Sequence, residues 1–85
     1  MASLNTDVIL YPNPAQNNLF FKINNEGNST LKYDILDLMG RTIESSEVDI
    51  QNTLGMINID KLNSGNYIIR MTLGEKLIIK KFIKQ

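Results

Sequence analysis

Apolar residues recur at every second position through much of this chain, which is the period of a strand with one face buried. Between Asn18 and Asn24, Leu19, Phe21 and Ile23 share one face, and Asn18, Lys22 and Asn24 the other; Phe20 interrupts the polar side. Leu31, Tyr33 and Ile35 repeat the pattern, and the apolar positions then change phase to Leu36 and Leu38. Such a phase change predicts a bulge or a twist near Ile35. Tyr67, Ile69, Met71 and Leu73 alternate with Ile68, Arg70 and Thr72, and the run from Leu77 to Gln85 is apolar on both faces. Three further strands are predicted: Val8–Tyr11, Met56–Ile59 with Ile57 and Ile59 inward, and Arg41–Ile50, less apolar and therefore outer.

Turn chemistry falls between these runs. Pro12-Asn13-Pro14 fixes the backbone at both prolines and removes their N–H donors, so this segment is an edge or a bend. Asn25-Glu26-Gly27-Asn28-Ser29 reads as a turn and Gln51–Gly55 as a loop. Asp37-Leu38-Met39-Gly40 has Asp at the first turn position and Gly at the fourth, which predicts a type I turn closing a hairpin on a left-handed glycine. Leu62-Asn63-Ser64-Gly65 is a corner and Gly74-Glu75 a tight turn. No window keeps a 3.6-residue period between caps, so no helix is predicted. Seven short strands in this rhythm predict an all-β fold, a seven-stranded antiparallel immunoglobulin-like β-sandwich.

The length of 85 residues allows one domain with a single small core. Apolar content of 42% and charged content of 21% argue against disorder. The zero net charge is unevenly spread: Met1–Glu75 holds five basic and nine acidic residues, whereas Lys76–Gln85 holds four lysines and no acid. A polyanion covering the whole surface is disfavoured, and an acidic partner for the last strand is not. Six aromatics and a neutral total also argue against nucleic acid.

Catalysis finds little support. With no cysteine and no histidine, the usual nucleophile–base pairs and the commonest metal ligands are missing. Asp37 is explained as a turn residue, Asp60 sits beside Lys61 in a loop, and a carboxylate pair for glycoside hydrolysis needs a deep cleft. No Asp-x-Asp-x-Asp spacing suggests calcium. The expectation is a non-enzyme with no cofactor, no metal and no small-molecule substrate. Asn28-Ser29-Thr30 fits a glycosylation acceptor, but a turn asparagine explains it equally well. No run has the length of a membrane span. The start shows no signal peptide; Met1-Ala2-Ser3 reads as an expression start, residues 1–7 as a cloning remnant or linker, and 8–85 as the domain.

Two segments carry more information. Leu62-x-x-Gly65-x-Tyr67 at the entry to a late strand is similar to the tyrosine corner of immunoglobulin-like sandwiches. Leu62 then plugs the end of the core, Gly65 takes a backbone angle unfavourable to other residues, and the Tyr67 hydroxyl bonds to the backbone a few residues upstream. In the last strand, Lys80 and Lys84 share a face with Phe82, and Lys81 lies on the other face with Ile79 and Ile83. Lysines there either protect an exposed edge or are read by a partner. A strand apolar on both faces sits inside a sheet or pairs with another chain, which includes a homodimer through the terminal strand.

Three signals stand in a fixed order: Tyr11-Pro12-Asn13-Pro14-Ala15, Asp37-Leu38-Met39-Gly40-Arg41, and Leu62-x-x-Gly65-x-Tyr67 before a terminal Lys80-Lys81-Phe82-Ile83-Lys84-Gln85. Together they closely resemble the C-terminal sorting domain of the type IX (Por) secretion system, type A, from about Val8 to Gln85. By position, Pro12, Asn13 and Pro14 match the entry motif, Gly65 and Tyr67 the late corner, and Lys80, Lys81 and Lys84 the basic terminal strand. The resemblance implies a seven-stranded immunoglobulin-like sandwich at the end of a secreted cargo protein of a Gram-negative bacterium. It further implies that the cargo enters the periplasm by a signal peptide and is directed through the outer-membrane translocon. The implied location is secreted or cell surface, and the implied partners are the outer-membrane secretion machinery and a sortase-like protease. In many members that protease removes the domain and joins the cargo to an anionic lipopolysaccharide.

Two other readings stand beside this one. An immunoglobulin-like surface module binding glycan or protein in an adhesin predicts an exposed aromatic platform or a loop cleft. Phe20 and Phe82 are the candidates for it, and both read as core. A stalk or spacer domain predicts further domains beyond Gln85.

Overall fold

The computed structural model describes residues 8–23, 29–50 and 54–85. Most of the turn expected over 25–29, part of the loop expected over 51–55, and residues 1–7 lie outside the described residues. Seven strands follow one another: β1 (Val8–Tyr11), β2 (Asn18–Ile23), β3 (Ser29–Leu36), β4 (Thr42–Ile50), β5 (Leu54–Asn58), β6 (Gly65–Leu73) and β7 (Lys76–Lys84). They form a three-stranded sheet ordered β1-β2-β5 and a four-stranded sheet ordered β4-β3-β6-β7. Every strand pairing is antiparallel. Connections β2–β3, β4–β5 and β5–β6 pass from one sheet to the other, as in immunoglobulin-like sandwiches.

The alternation read from the sequence sets the core. Leu19, Phe21 and Ile23 of β2 face Leu31, Tyr33 and Ile35 of β3 and Tyr67, Ile69 and Met71 of β6 in one buried cluster. Two inward faces meeting in this way bury their apolar residues while the outward positions stay wet. The phase change in β3 appears as a register shift between Ile35 and Leu36. Leu38 differs from the expectation: it does not continue the strand face but lies exposed in the β3–β4 turn. The preceding Asp37 ends the strand with its side chain.

β5 begins two residues earlier than expected and includes Gly55. Glycine is poor in strands because it offers no side chain to pack. Here the space is filled from the neighbouring strand, where Phe21 is the register partner of Gly55. A Cβ on Gly55 would stand 2.2 Å from Phe21 Cζ, so the ring occupies the place of a side chain. Phe82 is core, stacked on Tyr67 with centroids 5.6 Å apart. Phe20 is not core: it points outward with 37% of its surface exposed.

Candidate functional site

β7 is the outer strand of the four-stranded sheet, with β6 on one side only. The Gly74-Glu75 turn, with Gly74 at φ 61°, closes on the pair Leu73–Lys76. Ladder bonds of a two-residue hairpin start at the closing pair and alternate from there, so the even-numbered residues of β7 bond to β6. The odd-numbered residues therefore direct their N–H and C=O groups to the opposite, outer edge.

The end of that edge is covered by the chain's own entry motif. Ile83 N–H donates to Asn13 Oδ1 at 2.9 Å. Ala15 N–H donates to Ile83 O at 2.8 Å, and Gln85 N–H donates to Ala15 O at 2.7 Å. Ala15 and Lys84 form a parallel bridge, and Ala15 itself is fully buried. Pro12 and Pro14, both preceded by cis peptide bonds, flank Asn13 in the segment that reaches across. The motif near the start of the chain and the strand at its end are thus one structural unit. Among the described residues its cover stops at Ile83, and the backbone groups of Leu77, Ile79 and Lys81 are left on the open edge.

Side chains on β7 follow the same alternation. Ile78, Phe82 and Lys84 are buried, whereas Leu77 and Ile79 are 60% and 58% exposed. Lys80 shares the parity of Ile78 and Phe82 yet is exposed, as is Lys81 on the opposite face. Lys84 departs from a uniformly exposed basic strand. It is only 8% exposed, and its Nζ donates to the Gln85 carbonyl at 2.9 Å. Its alkyl stem lies in the sandwich while the ammonium reaches the end of the chain. Of the ion pairs among the described residues, Arg41–Asp37 and Arg70–Asp34, neither involves a lysine of β7.

Asp37 and Gly40 shape the hairpin beside this strand. Gly40 has φ 85° and donates its N–H to Asp37 O at 3.0 Å, which forms the turn on a left-handed glycine. Asp37 Oδ1 accepts from the N–H groups of Met39 and Arg41, both at 2.9 Å. The Arg41 N–H, foremost, with the Arg41 guanidinium and the Met39 N–H, holds the Asp37 carboxyl below its ordinary value. Leu38 of this turn, together with Asn13, Asn66, Lys81, Phe82 and Ile83, lines a shallow hollow at the end of the open edge.

At the late corner, the Tyr67 hydroxyl donates to Asn63 O at 2.7 Å, and Leu62 is buried at the end of the core with its N–H bonded to Ile59 O. Gly65 has φ 156°, a positive backbone angle that residues with a side chain rarely adopt. The entry segment is brought to the end of β7, with Asn13 beside Lys81, Phe82 and Ile83 and Ala15 paired with Lys84. Lys80 is not part of this contact, and of the Asp37–Gly40 turn it is Leu38 that reaches the same hollow. Sequence reasoning missed Ala15 and Ile83 as members of this unit. Ala15 had one signal, its place directly after Pro14 in the entry motif.

A family model described as the secretion system C-terminal sorting domain matches residues 9–85. A search of curated proteins gives no match. The chain belongs to the C-terminal sorting domain family of type IX secretion. These are in general non-catalytic signal domains of Gram-negative bacteria, and they mark proteins exported to the cell surface or secreted.

Proposed function

We propose that the secretion machinery reads this domain as a folded export signal through β7, at the open edge of Leu77, Ile79 and Lys81 and the lysines around it. The carrying observation is that Asn13 and Ala15 occupy the edge only at Ile83 and Gln85. An added strand gains main-chain hydrogen bonds from an unpaired edge, and its side chains set specificity. Exposed Lys76, Lys80 and Lys81 favour an acidic partner and speed its approach.

The same edge can meet a second copy of the chain, giving a homodimer. Antiparallel self-pairing sets lysine-rich strands side by side, and like charges opposite one another destabilise a ladder. An acidic partner strand is therefore the better occupant. In this reading a surface sortase-like protease removes the domain by cutting at or before β1.

Fusing residues 8–85 to a periplasmic reporter, in a host with this secretion system, tests the proposal. The intact fusion reaches the surface or medium, and the fusion lacking Lys80–Gln85 stays in the periplasm. Equal export of both overturns the terminal-strand mechanism; export of neither overturns the signal reading for this chain.

A further inference from the structure

The sheet on the far side of the sandwich, β1-β2-β5, carries an outer face built in register rows. Asn18 stands beside Asn58, Tyr11, Phe20 and Met56 form the next row, and Ile9, Lys22 and Leu54 the one beyond. Tyr11 and Phe20 stack with centroids 5.7 Å apart and planes inclined by 19°. Ile9, Tyr11, Phe20, Leu54 and Met56 are all exposed, so this is a contiguous patch and not a scatter of single residues. A contiguous exposed patch with a polar border marks a contact surface.

The chemistry of the border narrows what that contact is. From Phe20 a cleft runs past Asn18, Asn17 and Gln16 to Pro12, Pro14 and Gln85. Its side chains are amides, prolines and one aromatic ring, with no ionisable group. A phosphate or nucleic acid ligand needs cations here, and a purely apolar ligand leaves the amides without partners. Each amide offers both donors and acceptors, which suits hydroxyl groups that also do both. An aromatic ring beside a few such polar groups fits a ligand with an apolar face and a hydroxylated rim. Lys22 and Asp49 lie beyond the apolar row, and their opposite charges leave no net sign to select an ion.

We infer that this face binds a neutral oligosaccharide, with a pyranose ring over Phe20 and its hydroxyls directed to Asn18 and Gln16. Two residues of strand separate the Asn18 and Phe20 rows by about 7 Å, a span that one sugar ring and its substituents bridge. The ring-binding row lies on the sheet opposite β7 and leaves the edge at Leu77, Ile79 and Lys81 free, while its cleft ends on Pro12, Pro14 and Gln85 of the unit that covers Ile83.

Titrating the isotope-labelled domain with neutral glucan, mannan and chitin oligosaccharides at millimolar concentration, followed by amide NMR, tests this. An anionic oligosaccharide and a short apolar peptide serve as the competing ligand classes. At least one neutral oligosaccharide shifts the amides of Tyr11, Asn18, Phe20 and Met56 and leaves those of Ile79 and Lys81 unmoved. Phe20→Ala abolishes the response, and Asn18→Ala weakens it several-fold; both side chains lie outside the core, so the remaining spectrum stays that of the folded domain. The inference is overturned if no neutral oligosaccharide shifts these amides, if the shifts survive Phe20→Ala, or if the anionic oligosaccharide or the peptide binds better.

Discussion

Asn13 Oδ1 accepts the Ile83 N–H at 2.9 Å across 70 residues of sequence. This bond belongs to no sheet ladder, yet it decides where the free edge of β7 ends. With the Ala15 bonds beside it, it converts a terminal strand into one that is fixed at its last residues and open before them. Backbone tied down in this way is held against local opening.

Asn13→Ala removes that acceptor. The expected loss is about 1 kcal/mol, the usual net worth of one hydrogen bond. Chemical denaturation reads the loss as a lower midpoint with an unchanged slope. Hydrogen exchange of Ile83 and Gln85 accelerates far more than that of Met71, because opening at the strand end is local. Uniform acceleration across both sheets contradicts the local role given to Asn13.

Tyr67→Phe keeps the ring against Phe82 and deletes only the hydroxyl bonded to Asn63 O. A stability loss of about 1 kcal/mol is expected, since the Asn63 carbonyl loses its partner at the corner. Tyr67→Ala costs about 3–5 kcal/mol, because it also empties part of the core. Equal losses for the two variants contradict the separate assignment of ring and hydroxyl.

Gly55→Ala places a methyl group 2.2 Å from Phe21 Cζ. Overpacking of that kind costs about 1–3 kcal/mol. In a Phe21→Leu background the clash is relieved and the same substitution costs less, so the double-mutant cycle shows a coupling beyond additivity. Additive effects contradict the account of β5, in which the ring of Phe21 covers the glycine.

Asp34 gives a pH dependence. The Ser45 hydroxyl first, and then the Arg70 guanidinium, lower its carboxyl below the ordinary value. A carboxyl depressed in the folded state binds its proton more readily when unfolded. Its stabilisation is therefore present above the unfolded value near about 4 and is lost as pH falls through the lower folded value. Asp34→Asn should flatten that part of the acid limb of the stability curve, and an unchanged limb contradicts the assignment. The group is solvent-accessible, so the effect is small and weakens with salt.

Much of this fold was legible because its evidence is local. The inward residues of β2 and β6 are two apart, the Asp37–Gly40 turn is spelled by adjacent residues, and the corner bond from Tyr67 spans four positions. Gly55 reads as loop from the sequence because the residue that completes it, Phe21, comes from another strand. Phe20 reads as core from its apolarity, although the alternation around it assigns it to the outer face. The alternation puts Lys80 and Lys84 on the face of Phe82, but it does not tell that Lys84 is buried and Lys80 exposed, which depends on what packs beside each. The union of Pro12-Asn13-Pro14 with the last strand was the least accessible. Each motif was visible by itself, but no periodicity links positions so far apart.

The central claim is that the open edge of β7 is what the secretion machinery reads. Ile79→Pro tests it most directly: the Ile79 N–H faces the open edge and not β6, and proline is tolerated on an edge strand in that orientation. The variant removes one edge donor and obstructs an added strand, while denaturation and hydrogen exchange verify that the sandwich remains. Export of a periplasmic reporter fused to residues 8–85 should fall at least tenfold relative to the unsubstituted fusion, a difference of about 1.4 kcal/mol if set by binding. Undiminished export of the folded Ile79→Pro fusion would contradict the account.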